Sequence, residues 1–357
     1  ETIYSFENSK IVTDANGGSS FATTIKSQDG ATIDVATTEK KPEDYLAPPS
    51  TIVEFSPAFT FESNSISCCA PGMVGSYSDN SFFIVMREDA LTRSEDGLRP
   101  ERILKFDLDT DEVAEKLYYL SDFATKQVHI IDNKLRVVGG QGVNTYETDI
   151  IDDPVRDLHG LTISRSGTSV LDNEIYVVGG DLDNAVSDKI FKWNEISKSL
   201  DEVATMPEPR FGARSEIVNN KLYIFGGTEE FFNPPAKSTI YIFDFETQEF
   251  VTESLPKAIN LTYTGKFENL IYVGGREIVY ETNDEGIEVP VDNNPFLGVY
   301  DTNTGEFTQL ETNLESPDYE TIHGMAVFNK KLFIIYGGQD NSQEDDTQTW
   351  DVLVSDI

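Results

Sequence analysis

Short apolar runs separated by polar turn residues recur along the chain. Five of these runs end in paired glycines: K-L-R-V-V-G-G at Gly140, E-I-Y-V-V-G-G at Gly180, K-L-Y-I-F-G-G at Gly227, L-I-Y-V-G-G at Gly275 and K-L-F-I-I-Y-G-G at Gly338. Each follows a short turn that carries Asn or Asp, a pattern typical of a β-hairpin leading into a buried strand. Aromatic-rich hairpins lie between the runs, and their alternating apolar positions predict outer strands. Since no such unit covers its own faces, the pattern predicts sheets stacked against their neighbours around a ring.

Two weaker copies of the run, without the paired glycines, lie upstream at Asp79 to Arg87 and at Asp29 to Thr37. They bring the number of copies to seven, at the spacing of propeller blades. The chain opens with T-I-Y-S-F from Thr2 and ends with T-W-D-V-L-V from Thr349. We expect these two segments to complete one blade, since closure removes exposed sheet edges. The acidic insertions at 281–294 and 341–347 are expected to form loops.

The segment M-P-E-P-R-F-G-A-R-S-E-I-V-N-N-K-L-Y-I-F-G-G, from Met206 to Gly227, resembles a kelch repeat almost position for position. H-G-M-A-V-F-N-K-K-L-F-I-I-Y-G-G, from His323 to Gly338, is similar to a second repeat with one inserted residue. The resemblance covers residues 120–340. It implies an all-β fold, a kelch-type β-propeller of seven four-stranded blades with six as the alternative, closed by pairing of N- and C-terminal strands. We expect one domain over residues 1–357.

Charge narrows the choice of partners. The chain has 27 basic and 63 acidic residues and a formal net charge of −36, which repels phosphate backbones and anionic membranes. No apolar stretch reaches the roughly 18 residues of a membrane helix. We therefore predict no nucleic-acid partner, no membrane insertion and a monomer. The start at Glu1, without Met, fits a mature or trimmed chain and leaves a secreted or cell-surface origin open.

The candidate site follows from the resemblance, which implies that loops between second and third strands, and between blades, gather at one mouth of a central channel. Phe231 and Phe232 are the first candidates, because two adjacent aromatic side chains in a long loop are hard to bury together. Arg210 and His323 occupy kelch positions that often bond to a neighbouring blade, so an architectural role is open for both. The full candidate set is Phe231, Phe232, Arg210, Arg276, Glu277, Arg165, Arg87, Tyr319 and His323.

Metal and cofactor chemistry finds little support in the residues. The carboxylates from Asp107 to Glu112 lack the Gly and the converging oxygens of a calcium loop. Kelch-fold copper oxidases need two histidines, tyrosines and a cysteine that crosslinks to one of them. Of the three histidines here, His129 falls inside a predicted strand, and Cys68 and Cys69 lie together in an earlier blade. No nucleophile triad or phosphate loop occurs. We predict no metal and no cofactor.

The leading hypothesis is a non-catalytic recognition module that binds a protein or glycan partner at a loop-built face. The alternative is a carbohydrate-active kelch enzyme similar to sialic acid mutarotases. Mutarotation needs only a placed acid and base, and Glu229 or Glu277 with Arg210 or Arg276 would supply them. A narrow pocket with converging Arg and carboxylate groups would favour the enzyme, and a broad surface would favour recognition.

Overall fold

A computed structural model gives the architecture. It describes residues 4–13, 19–27, 32–38, 52–63, 71–87, 99–120, 127–139, 142–150, 152, 154–158, 163–230, 236–282, 288–314, 321–337 and 348–357. Side chains are described from residue 52 onward, except at 87, 99, 119–120, 260–261, 278–281, 288–293, 321 and 348. The chain divides into two compact units, Glu1–Ser50 and Thr51–Ile357. The single domain expected over residues 1–357 stays a prediction.

The first unit contains an antiparallel sheet of three strands in the order β1-β2-β3. The strands are β1 (Tyr4–Thr13), β2 (Ser19–Ser27) and β3 (Thr32–Thr38). The segments at Thr2 and at Asp29 to Thr37 therefore fall largely in β1 and β3. The sequence predicted that the first segment closes the ring and that the second belongs to a blade. Both strands instead pair with β2.

The second unit is built from six four-stranded antiparallel sheets within its described residues. Two strands precede the first blade, β4 (Ile52–Val53) and β5 (Ser56–Ser63). Blade 1 consists of β6 (Gly72–Ser76), β7 (Ser81–Arg87), β8 (Arg99–Asp107) and β9 (Val113–Leu120). Blade 2 consists of β10 (Gln127–Ile131), β11 (Lys134–Val138), β12 (Gly142–Glu147) and β13 (Val155–Leu158).

Blade 3 follows the short strand β14 (Ile163–Ser164) and is interrupted by a small hairpin that pairs with it. Its chain order is β15 (Gly167–Leu171), β16 (Glu174–Val178), the hairpin β17 (Asp181–Leu182) and β18 (Ala185–Val186), then β19 (Lys189–Asn194) and β20 (Ser199–Thr205). Blade 4 consists of β21 (Arg214–Val218), β22 (Lys221–Phe225), β23 (Thr239–Asp244) and β24 (Glu249–Ser254).

Blade 5 contains a hairpin that is longer than the others. Its strands are β25 (Asn260–Phe267), β26 (Leu270–Thr282), β27 (Glu288–Asp301) and β28 (Glu306–Gln309). The expected loop at 281–294 is thus wrong in part, because Val279 pairs with Asp292 and Thr282 with Glu288. After β29 (Glu311–Thr312), which pairs with β4, blade 6 consists of β30 (Thr321–Phe328), β31 (Lys331–Gly337), β32 (Gln348–Asp356) and β5.

The six blades form a closed ring. Their first strands contact one another in the order β6, β10, β15, β21, β25, β30 and back to β6. Strand β5 pairs antiparallel with β32, so a strand from the start of this unit completes the last blade. The prediction that an earlier strand pairs with the C-terminal strand to close the ring is confirmed. The closing strand is Ser56–Ser63, however, and not the segment at Thr2. The preferred count of seven blades is wrong among the described residues, and the alternative of six is correct.

Local chemistry explains the hairpin between the first two strands of each blade. Two-residue turns of the type that suits right-handed strand twist need positive φ at both central positions, which Asn and Asp tolerate. Asp132 and Asn133 have φ of 53° and 56°, and Asn219 and Asn220 have 50° and 59°. The predicted hairpins are confirmed at these positions.

The paired glycines serve close approach between blades. Gly179 and Gly180 have φ of 58° and 87°, and the Gly180 amide donates to the Arg210 carbonyl oxygen at 2.6 Å. A Cβ on Gly179 would meet the backbone of Arg210, which belongs to the loop of the next blade. Only glycine both adopts this positive φ readily and leaves room for the neighbouring backbone, because it has no Cβ.

Apolar faces pack between neighbouring blades. Where blade 6 meets blade 1, the Phe82 and Phe333 rings stack at 4.5 Å, in a buried cluster that also includes Trp350 and Phe328. Similar clusters join blades 1 and 2, 2 and 3, 3 and 4, and 4 and 5. The stability of each blade therefore depends on its neighbours.

Candidate functional site

The six first strands enclose a central channel. Residues from all six line a cavity of about 490 Å³, from Arg214 and Tyr263 at one end to Tyr77 and Asn133 at the other. The loops that join the blades lie at the first end, and the hairpin turns between first and second strands lie at the second. The volume falls in the range of small-ligand sites.

Three arginines converge at the loop end of the channel. Arg165 precedes the first strand of blade 3, Arg214 begins that of blade 4, and Arg276 follows the paired glycines of blade 5. Burial raises the pKa of the Tyr263 phenol to about 12, and the positive charges of Arg214, Arg276 and Arg165 oppose this rise. On a chain of net charge −36, this is a local concentration of positive charge. The group of Arg165, Arg214, Arg276 and Tyr263 is called the arginine mouth below.

Arg214 is the most buried arginine of the arginine mouth, with 7% exposure. Its Nη1 donates to the carbonyl oxygens of Ala213 at 3.2 Å and Ser166 at 3.4 Å, and its guanidinium lies 5.6 Å from the centre of the Tyr263 ring. Burial, followed by the positive charge of Arg165, lowers the pKa of Arg214. A bound anion would relieve both effects.

Arg165 is exposed and stacks on an aromatic ring, since its guanidinium lies 5.1 Å from the centre of the Phe211 ring. Its φ is 50°, and its carbonyl oxygen accepts from the Gly212 amide at 2.8 Å. The loop before blade 3 and the loop before blade 4 thus hold each other, and this contact fixes Arg165 at the rim.

Arg210 is held in the architecture of blade 4. Its side chain is fully buried, Nη1 donates to Glu208 at 3.0 Å, and the guanidinium lies 4.6 Å from the centre of the Tyr241 ring. Tyr241 also donates to Glu208, and the two hydrogen bonds, that from Arg210 first, lower the pKa of Glu208. These contacts support an architectural role for Arg210.

The carboxylates considered for acid–base chemistry have cationic partners. Glu277 accepts from Lys257 Nζ at 2.7 Å, and Glu229 forms an ion pair with Lys237. Each of the two carboxylates is thus paired with a lysine, Glu277 with Lys257 and Glu229 with Lys237.

His323 lies beside Trp350 at the start of the first strand of blade 6. It is 8% exposed, and the two rings meet edge to face at 4.8 Å. Burial lowers the pKa of His323 to about 4, a carbonyl contact at Gly337 opposes this, and the charge of Arg276 adds to it. A neutral imidazole packed against the core is consistent with an architectural role.

Three candidates, Phe231, Phe232 and Tyr319, lie outside the described residues, and the side chain of Arg87 does too. The backbone of Arg87 ends the second strand of blade 1 and pairs with Glu101. The flanks of the Phe231 loop are tied to the loop before blade 4, because Phe211 and Thr228 exchange backbone hydrogen bonds of 2.8 and 2.9 Å. The role of the two phenylalanines stays a prediction.

Polar side chains inside the channel connect blades 2 to 5. His129 Nε2 and Thr168 Oγ1 are 2.7 Å apart, and the hydroxyl oxygens of Ser169 and Ser215 are 2.8 Å apart. Burial raises the pKa of Glu216, although Lys266 at 4.0 Å and a hydrogen bond from Thr264 oppose it. Sequence reasoning missed Arg214, Tyr263 and Glu216, although the alternation R-S-E in the first strand of blade 4 was a usable signal.

The acidic turn from Asp107 to Glu112 has a structural explanation. The side chain of Asp107 accepts from the amides of Asp109 at 2.9 Å and Thr110 at 3.1 Å. Asn194, Asp244 and Asp301 cap the equivalent turns of blades 3, 4 and 5 in the same way. Across the described ranges, no three His, Cys, Asp or Glu side chains come together as a metal site would need. In the same ranges, no helix has the length and hydropathy to cross a membrane.

A closed ring of four-stranded sheets around a central channel defines the class of this protein as a β-propeller. The family model of the KLHDC2/KLHL20/DRC7 Kelch-repeats domain matches residues 159–355, more than half of the chain. The chain belongs to the kelch-repeat family. Kelch repeats are generally protein-interaction architectures, and this is the class of function that the family indicates.

Individual relatives are distant. Kelch-like protein terF of Aspergillus terreus is 27% identical over 174 residues, which cover 42% of this chain and 38% of that protein. The structure titled "Structure of YjhT" has a TM-score of 0.55 at 12% identity, over 83% of this chain and 95% of that one. A fungal alcohol oxidase of the AA5 family, in complex with copper, has a TM-score of 0.57 at 10% identity, over 85% and 76% of the two chains. At these identities the structural similarity establishes the fold alone.

Proposed function

We propose that this protein is a recognition module that binds an acidic segment of a partner protein at the arginine mouth. The observation that carries the proposal is that three consecutive blades bring arginines to one end of the channel. The Arg214 guanidinium lies 5.6 Å from the centre of the Tyr263 ring and donates to the carbonyl oxygen of Ser166, next to Arg165. Arg276 follows Gly274, the strand partner of Tyr263, by two residues. An arginine fork matches carboxylate geometry, and charge-assisted hydrogen bonds are the strongest that a binding site offers.

Position and composition support the same proposal. The rim combines the exposed Arg165 stacked on Phe211 with the half-buried Arg276, so planar cations and aromatic area lie together. Arginine and aromatic side chains are enriched among residues that dominate the energy of protein interfaces. The Phe231 and Phe232 loop, whose described flanks join the loop of Phe211, would extend this surface. A glycan partner would instead use the hydroxyl and aromatic groups without needing the positive charge.

The test measures binding of a fluorescent peptide rich in Asp and Glu, and of its Asn and Gln analogue, by fluorescence anisotropy. We expect the wild type to bind the acidic peptide and not its Asn and Gln analogue. The double variant R165Q/R276Q is expected to bind the acidic peptide about tenfold or more weakly. The matched control is K134Q/K221Q, which removes two exposed cations at the turn end of the second strands in blades 2 and 4. Equal affinity of the two double variants, or equal binding of both peptides, would contradict the proposal.

A further inference from the structure

The two sides of the central channel differ in polarity. Blades 2 to 5 contribute imidazole, hydroxyl and charged side chains together with a few aliphatic ones, whereas blades 6 and 1 contribute mostly apolar side chains, with Tyr77 and Ser78 at the turn end. The apolar members are Met325, Val327, Phe328, Met73 and Val74. The order of first strands around the ring places blade 1 three positions from blade 4, so the two face each other. An apolar wall therefore lies across from Arg214.

Aliphatic side chains line the deeper part of the channel, toward the hairpin turns. Ile130, Val170 and Val327 each occupy the last but one position of a first strand, and Val74 lies nearby in blade 1. The equivalent position of blade 5 is Lys266, whose Nζ donates to the carbonyl oxygen of Ile217 at 2.7 Å. The four aliphatic side chains are only partly buried, although they line the centre of the ring. Apolar surface left facing an open channel gains about 25 cal/mol per Å² when a ligand removes it from water.

Arg214 provides a charged end above this aliphatic zone. It begins its strand three residues before Ile217, which is level with Ile130, so the two zones are about 10 Å apart at roughly 3.3 Å per residue. Among the described residues, Nη1 donates to two carbonyl oxygens, and no other hydrogen bond or ion pair of this guanidinium is observed. The Tyr263 ring lies against the guanidinium, and its hydroxyl donates to no described residue.

From these features we infer that the channel binds a small aliphatic monocarboxylate. Its carboxylate accepts from the free nitrogens of Arg214 and from the Tyr263 hydroxyl, and its chain extends past Val74 to Ile130, Val170 and Val327. Carboxylate binding supplies an acceptor to guanidinium nitrogens that have none among the described residues, and the chain covers the exposed aliphatic groups. A free inorganic anion would leave the deeper zone empty, and a sugar would place hydroxyls against it. The inference shares Arg214 with the recognition site proposed above but does not depend on a protein partner.

Three probes separate the two parts of the ligand in isothermal titration calorimetry with the full chain. Octanoate carries both the carboxylate and the aliphatic chain, acetate carries the carboxylate alone, and octanol carries the chain alone. We expect octanoate to bind and the other two to bind at least tenfold more weakly, since each forfeits one of the two zones. Octanoate that binds no better than acetate would overturn the inference.

Two variants locate the site. R214Q removes the charge and is expected to weaken octanoate binding about tenfold or more, while R156Q, at an exposed arginine of an outer strand, leaves it unchanged. V74W fills the channel from the apolar wall and is expected to abolish binding, whereas V251W, at an outer-strand valine that is 57% exposed, is its control. Melting temperatures report folding for each variant, and octanoate binding that survives V74W in a folded chain would overturn the inference.

The acidic peptide assay, repeated on V74W, separates this inference from the proposed function. Peptide binding that persists while octanoate binding is lost supports a channel ligand distinct from the protein partner. Octanoate binding to a chain that ignores the acidic peptide would refute the recognition proposal alone. Peptide binding to a chain that ignores octanoate would refute the channel ligand alone.

Discussion

Acidification is expected to destabilise the ring through His129 and His323. Burial lowers the pKa of each from 6.5 to about 4, with smaller contributions from the charges of Lys266 and Arg276 respectively. The unfolded chain takes up these protons near the ordinary pKa, whereas the folded chain resists until about pH 4. The stability that the neutral imidazoles contribute is therefore complete above pH 6.5 and is lost as pH falls toward 4. Each histidine is expected to reduce the free energy of unfolding by about 2 kcal/mol at about pH 5.

The measurement compares urea denaturation of the wild type and of H129Q/H323Q at about pH 7 and about pH 5. The titration of carboxylates and the change in net charge affect both proteins alike. Their effects on the free energy of unfolding therefore largely cancel when the wild type is compared with the double variant. The wild type is expected to lose about 4 kcal/mol more than the double variant, because glutamine does not titrate. If the double variant loses as much stability as the wild type, the argument from buried neutral histidines is refuted.

Three further substitutions test the packing and the binding surface. F231A/F232A is expected to weaken partner capture in a binding assay without lowering the melting temperature appreciably, and unchanged binding would remove this loop from the site. Trp350→Ala is expected to reduce the free energy of unfolding by about 3–5 kcal/mol in chemical denaturation, since Trp350 is 1% exposed at the blade closure. Tyr146→Phe is expected to cost about 1–3 kcal/mol, because it removes a hydrogen bond to the buried Glu101 carboxylate, and a neutral result would show that this bond is dispensable.

Local pattern predicted the hairpins and the blade type, but not which strands join. The segment at Asp29 to Thr37 alternates like a blade strand, and it does form the strand Thr32–Thr38, yet in a three-stranded sheet of the first unit. The closing strand at Ser56–Ser63 likewise has no feature that ranks it above the strand at Tyr4–Thr13. Strand alternation reports that one face is buried, and it carries no information about the partner strand.

The candidate site remains a prediction, but the structure decides which candidates lie near one another. Loop positions led to Arg165 and Arg276, which belong to the arginine mouth, while Arg210 is tied to Glu208 and Tyr241. Arg214 and Tyr263 were not foreseen, because candidates were taken from loops and these two residues lie in the first strands of blades 4 and 5. Their proximity depends on the packing of blade 4 beside blade 5, and no local pattern encodes that distance.

By itself the sequence determined the all-β class, the turns that need positive φ, the glycine pairs and the strong negative charge. Each of these follows from composition or from residues close together along the chain. Only the tertiary structure decided the blade count, the closing strand and the grouping of three arginines around one tyrosine. These depend on contacts between residues tens to hundreds of positions apart, which form when the ring closes.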